Sequence, residues 1–153
     1  MIRLGRRAPA HPSRAAGIAR VDSRTKRLIK RSESGDIAVI DHRDLDRIAA
    51  EGLIRAGVSA VVNASASISG RYPNTGPRLL LEAGIVLIDA AGPGVIGAVS
   101  EGERINIEGE EVFRDGQAVA RGTRLTREDV EVAMAAATES IGAEIERFAS
   151  NTL

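Results

Sequence analysis

"IVLIDAAGPGVIGAV", residues 85–99, decides how this chain is read. A run of aliphatic residues leads into Gly92-Pro93-Gly94-Val95-Ile96-Gly97, which fits G-x-G-x-x-G. A dinucleotide-binding unit needs a helix of real length after the glycines, then a parallel strand ending in an acid that meets the ribose. Here the helix has only residues 93–99 before Ser100-Glu101-Gly102-Glu103 stops it, and the following stretch alternates apolar and polar residues. The triplet therefore reads as a tight strand-to-helix turn.

Upstream, "GDIAVIDH" from Gly35 holds a short buried strand at Ile37, Val39 and Ile40. "DHRDLDRIAAEGLIRAG" turns helical: Leu45, Ile48, Ala49 and Leu53 recur at helical spacing, and Gly57 stands where a C-cap is wanted. "VSAVVN" (58–63) is a second strand. A polar loop and a brief helix, "RLLLEAG", lead to a third strand at 85–89. This β-α-β-α-β order predicts a parallel sheet. Downstream, "ERINIEGEEVFRDGQAVARGT" predicts an antiparallel meander, with turns at Gly109 and Asp115-Gly116. Thr126, with Asp129 three residues on, opens a long helix over 126–153. Its stripe runs through Val130, Met134, Ala137, Ile141, Ile145 and Phe148, and Ala133, Ala137 and Gly142 permit close helix approach. That stripe predicts self-association or docking on a further domain.

The 153 residues suit one domain plus appendages. Aromatics make up 2%, so the core must be aliphatic and stacking platforms for single-stranded nucleic acid are scarce. Cysteine is absent, which excludes thiolate chemistry and Cys-ligated zinc. No apolar run approaches the ~20 residues of a membrane span. The balanced net charge hides an asymmetry. Residues 1–31 carry ten Lys/Arg and one acid, Asp22, whereas the rest carries eleven against twenty. Residues 1–16, with two prolines and no apolar period, read as a disordered basic arm. Such an arm is either solvated or in contact with an anionic surface.

His42-Arg43-Asp44-Leu45 imitates a kinase catalytic loop, but Ala49 occupies the asparagine position and no D-F-G follows. Asp41 and Asp44 fit better as caps at a helix start. No metal site and no cofactor are expected. The richest stretch is "SISGRYPNTGPR" (67–78). Gly70 and Gly76 allow unusual backbone angles, and Pro77 fits a first helical turn near Asn74 or Thr75. With Ser69, Arg71 and Arg78 beside free helix N–H groups, the loop could hold an anion. With Tyr72 exposed, it could equally be a docking surface. Both readings stay open.

The order of elements resembles the swivelling β/β/α domain of phosphoenolpyruvate-utilising enzymes, through Gly35-Asp36-Ile37-Ala38-Val39, Ala60-Val61-Val62-Asn63, Ser69-Gly70-Arg71, Gly84-Ile85-Val86 and residues 102–109. The resemblance implies a small mostly parallel sheet plus a β-meander over 17–125. The phosphoryl-carrying histidine should fall at position 75, where Thr75 stands, so the phosphoryl chemistry is not expected.

"ARVDSRTKRLIKR", "GDIAVIDHRDLDR", "AVVNASASISGRYPNTGP" and "FASNTL" are together similar to the N-terminal region of the SteA family, actinobacterial cytokinetic ring proteins. The "SISGRYPN" block at 67–74 is the most specific part. In that family this region precedes a thiamin-pyrophosphokinase-like domain and a C-terminal membrane segment, so the resemblance makes the present chain a fragment. It implies a non-catalytic assembly module on the cytoplasmic face, a SteB-like membrane partner, contact with the downstream domain, and a role in regulating cell-wall hydrolysis. The alternative it leaves is an accessory domain of a pyrophosphokinase-like enzyme, with the 67–78 loop contributing to a nucleotide site. A homo-oligomer is expected and nucleic acid is not.

Overall fold

A computed structural model describes residues 14–152. The chain runs β1 (Arg14–Asp22), α1 (Thr25–Arg31), β2 (Ile37–Ile40), α2 (Arg47–Ala56), β3 (Ala60–Asn63), α3 (Gly76–Glu82) and β4 (Val86–Asp89). It continues through α4 (Val95–Ala98), β5 (Arg104–Glu108), β6 (Glu111–Arg114), β7 (Gln117–Arg121), β8 (Thr123–Arg124) and α5 (Arg127–Thr152). The eight strands form one mixed sheet in the order β7-β6-β5-β1-β2-β3-β4-β8. β1 through β4 are parallel, and every other pairing is antiparallel.

Two expectations need correction here. The sheet has one more parallel strand than the pattern gave, because β1 and α1 lie in the basic segment that conceals them. β1 begins at Arg14, inside the stretch read as an arm; residues 1–13 lie outside the described residues. Nor is the meander an addition to a mostly parallel sheet: it belongs to the same eight-stranded sheet, four of whose seven pairings are antiparallel. β1 is long enough to pair antiparallel with β5 through residues 14–18 and parallel with β2 through residues 19–22, so it joins both halves.

Strand side chains alternate between faces, and both faces of β2–β4 are buried, which explains their uninterrupted apolar runs. Ala38, Ile40, Val61 and Leu87 meet Leu28, Leu53 and Leu80 of α1, α2 and α3. Successive right-handed crossovers along neighbouring strands place those helices on one side. Ile37, Val39, Val62 and Ile88 face the other way and share a cluster with Ile105, Ile107 and Val112 of the meander and Val95 of α4. The aliphatic core thus lies in two layers, one on each face of the parallel strands.

Several boundaries follow from local chemistry. Asp46 caps α2 by accepting from the N–H of Ala49 at 2.8 Å, and Gly57 ends it in the left-handed region at φ 78°. Asp41 and Asp44 are therefore not its caps. Thr126 and Asp129 close a reciprocal capping pair at α5, with bonds of 3.1 and 3.0 Å. At the other edge of the helical layer, Glu101 accepts from the Val21 N–H at 2.7 Å and from the guanidinium groups of Arg31 and Arg20. Those bonds, the one to Arg31 foremost, hold its carboxyl down at about 2.

Candidate functional site

The parallel strands point their carboxyl ends at one rim, where ligand sites of α/β sheets form. That rim carries a laced polar network. Asn63, fully buried at the end of β3, satisfies its whole amide. Its Oδ1 accepts from the N–H groups of His42 (2.9 Å) and Ser65 (3.1 Å); its Nδ2 donates to the His42 carbonyl and to Ser67 Oγ, both at 2.8 Å. Ser67 in turn gives its N–H (2.9 Å) and its hydroxyl proton (2.5 Å) to Asp89 Oδ1. Burial pushes the Asp89 carboxyl above its ordinary value, against the pull of the Ser67 and Ala90 bonds.

The loop after β2 is tied to the loop after β3 in the same way. Asp44, in the left-handed region at φ 54°, accepts from the Ser69 N–H at 2.7 Å and the Ser69 hydroxyl at 2.9 Å. Asp41 accepts from the Ser65 hydroxyl, and His42 Nδ1 lies 2.8 Å from Thr25 Oγ1. Asp41, Asp44 and Asp46 thus each serve a different partner. The first half of the 67–78 loop is held rigidly by neighbouring elements, while its tip carries Arg71 and Tyr72, both exposed.

The residues singled out from sequence separate into two groups. Gly70 has φ 90°, as a turn of this kind needs. Gly76 has no positive φ and answers a different demand: a Cβ there would stand 2.2 Å from the Leu45 carbonyl oxygen, so only glycine lets α3 start against the α2 entry loop. Thr75 stands at the α3 N-cap without a side-chain bond, and Asn74 Nδ2 reaches back to the Ser67 carbonyl at 3.5 Å. Arg78 does not face the loop tip. Its Nε and Nη2 grip Glu131 of α5 at 2.8 and 2.7 Å. Arg71 lies 5.8 Å from the centroid of the Tyr72 ring.

The α5 stripe divides in the same manner. Val130 and Ala137 are buried, and Met134 is partly buried against the α1–α3 cluster. Beyond Ile141 the helix leaves the body: Ile145 is 63% exposed and Phe148 73%. Tyr72 lies across from Ile141, Ile145 and Phe148, and together they border an open cleft of about 600 Å³. The loop and the helix, singled out separately in the sequence, line one surface. Sequence reading missed the anchors Asn63, Asp89 and Glu131. Its one available signal was Asn63-Ala64-Ser65-Ala66-Ser67, alternating polar residues placed where a buried strand ends.

No helix among the described residues is long and apolar enough to cross a membrane. No protein-family profile and no curated protein matches the chain. Among solved structures, the chain is similar to a 3-isopropylmalate dehydratase from Methanocaldococcus jannaschii, at 11% identity and a TM-score of 0.44, over 92% of this chain and 99% of that one.

Proposed function

We propose that this chain is a non-catalytic assembly module whose docking element is the distal half of α5 with the Tyr72 loop beside it. One observation carries the reading. Along one helix face the stripe that begins with buried Val130 and Ala137 ends with Ile145 and Phe148, 63% and 73% exposed. Exposed apolar residues that continue a buried stripe mark an interaction surface. The loop supports this reading more than anion capture, since Arg78 is engaged by Glu131 and only Arg71 is left at the tip.

The biological setting rests on the sequence blocks alone. Residues 19–31, 35–47, 60–77 and 148–153 support membership of the SteA family, with a swivelling β/β/α fold, a place in actinobacterial cell division, and a SteB-like membrane protein and a pyrophosphokinase-like domain as partners. Coding sequence beyond Leu153 tests that setting. An open frame for such a domain followed by an apolar segment of ~20 residues supports it; a different downstream domain contradicts it.

The docking reading has its own test. Light scattering across a wide concentration range should show association of the wild-type chain, alone or extended through the next domain, and its loss in Phe148→Asp. Strictly monomeric behaviour of both lengths would contradict it.

A further inference from the structure

Beyond Ile141, one face of α5 carries charge as well as apolar side chains. Ile141, Ile145 and Phe148 lie within about 60° of one another round the helix. Glu144 and Asn151 flank this strip on one side, about 60° and about 80° from Ile141, with Arg147 about 120° round on the same side. All six residues border the cleft whose other wall is Tyr72. Gly142 and Ala149 form the opposite flank, and Glu139 and Glu146 fall on the far side of the helix. The face is therefore an apolar strip with one charged edge, and that edge holds one acid and one base.

Glu144 and Arg147 stand three residues apart, a spacing at which helix side chains can meet. Yet neither makes an ion pair with the other or with any described residue. An edge holding both signs is complementary to its own copy turned end for end. In an antiparallel pair of helices about a two-fold axis, each edge meets the same edge of the other copy. An axis crossing between residues 146 and 147 sets Ile145 of each copy against Phe148 of the other. It leaves Glu144 of each copy about 3 Å along the helix from the level of Arg147 of the other, within reach of two long side chains. A parallel pair would set the charged edge against Gly142 and Ala149, and neither charge would gain a partner.

We infer that the distal half of α5 pairs antiparallel with the same segment of a second copy of this chain, with Glu144 and Arg147 exchanging ion pairs across the two-fold axis. The inference rests on the docking role proposed for α5 and names its partner. The paired segment, residues 141–152, spans about 18 Å. The two bodies stand at opposite ends of it, because each helix leaves its own body near Ile141. One contact covers Ile145 and Phe148 of both copies, so association closes at the dimer.

Charge reversal tests the pairing by sedimentation velocity, with circular dichroism to verify that each variant is folded. Glu144→Arg and Arg147→Glu, each alone, set like charges together at both ends of the contact and should weaken the dimer by at least about tenfold. The double variant Glu144→Arg with Arg147→Glu should dimerise like wild type, since the exchanged charges pair again. Orientation is read from spin labels, placed cleanly because the chain has no cysteine. Glu139→Cys and Glu146→Cys put labels on the far side of the helix, outside the contact. The axial offset between copies is about 22 Å at 139 and about 2 Å at 146 in the antiparallel pair, so the 139 labels should lie farther apart. Equal separations overturn the antiparallel arrangement. A dimer that Phe148→Asp abolishes but single charge reversals leave intact, or that the double variant fails to restore, overturns the ion-pair exchange while the docking role of α5 survives. A chain that stays monomeric, yet protects residues 141–152 from hydrogen exchange when extended through the next domain, overturns the second copy as partner and keeps the docking role. Monomers of both lengths with 141–152 unprotected remove this inference and the reading beneath it.

Discussion

Arg78 on α3 holds Glu131 on α5 through two parallel bonds, Nε to Oε2 at 2.8 Å and Nη2 to Oε1 at 2.7 Å. The pair fastens the proximal half of α5 to the body and so fixes where the distal half projects. Fork-to-carboxylate geometry is the strong form of such contacts, but both partners are substantially exposed, and exposed pairs add little to global stability. Arg78→Ala should therefore leave the unfolding midpoint almost unchanged. It should raise amide hydrogen exchange across residues 127–137, and the difference from wild type should shrink in high salt. A large fall in melting temperature without local exchange would contradict this.

Asn63 carries the rim network. Its four amide bonds lie in a fully buried position, and each buried group left without a partner costs about 1–3 kcal/mol. Asn63→Ala orphans the His42 carbonyl and the N–H groups of His42 and Ser65. A loss of at least ~3 kcal/mol in denaturant unfolding follows on that basis, with the Tyr72 loop released. A loss under ~1 kcal/mol would mean that the loops hold without it.

Asp89 makes a pH-dependent prediction of the opposite sense. Its carboxyl is held above the ordinary 3.8 because it is buried, so the ionised form costs stability and protonation recovers it. The burden appears as pH rises from that ordinary value through the raised one. Asp89→Asn keeps an oxygen for the Ser67 N–H and hydroxyl without the charge. The variant should be at least as stable as wild type at neutral pH, and its advantage should diminish as pH falls through that window. A constant difference at every pH would exclude the burial argument.

Glu101 behaves conversely. Its folded value of about 2 lies below the ordinary 4.5. Its contribution is therefore complete above 4.5 and is lost as pH falls toward 2. The side chain is 41% exposed, so solvent screening keeps the effect modest. Glu101→Gln should lower the melting temperature at neutral pH, and the two proteins should converge in acid. Parallel curves down to the lowest pH would contradict the Arg20–Arg31–Glu101 linkage.

Much of the fold was legible because its signals are local. β2, β3 and β4 show as aliphatic runs, Gly57 as a C-cap, Thr126 and Asp129 as a capping pair, and Asp115-Gly116 as a hairpin turn. β1 escaped because its register is spread over alternating small and basic residues, and Arg14 and Arg20 disguise an element that Ala19 and Val21 help bury. β8 escaped because two residues carry no period. Ile48 shares the helical spacing of Leu45 and Leu53 but is 75% exposed where they are buried. Helical spacing locates a residue on a face, but it does not reveal how far the rest of the fold covers that face. The candidate site was half legible: Tyr72 and the α5 stripe were visible separately, whereas their meeting depends on Arg78 choosing Glu131 over an anion, which no local pattern encodes.

The central claim is that the distal half of α5 becomes covered when the chain assembles. Hydrogen exchange of residues 141–152, followed as a function of protein concentration, measures that cover at the residues concerned. Exchange there should slow progressively as concentration rises, with residues 37–40 of β2 unaffected as an internal reference, and the slowing should vanish in Phe148→Asp. Equal exchange of 141–152 at every concentration, in a sample shown by light scattering to associate, would place the contact elsewhere and contradict the account.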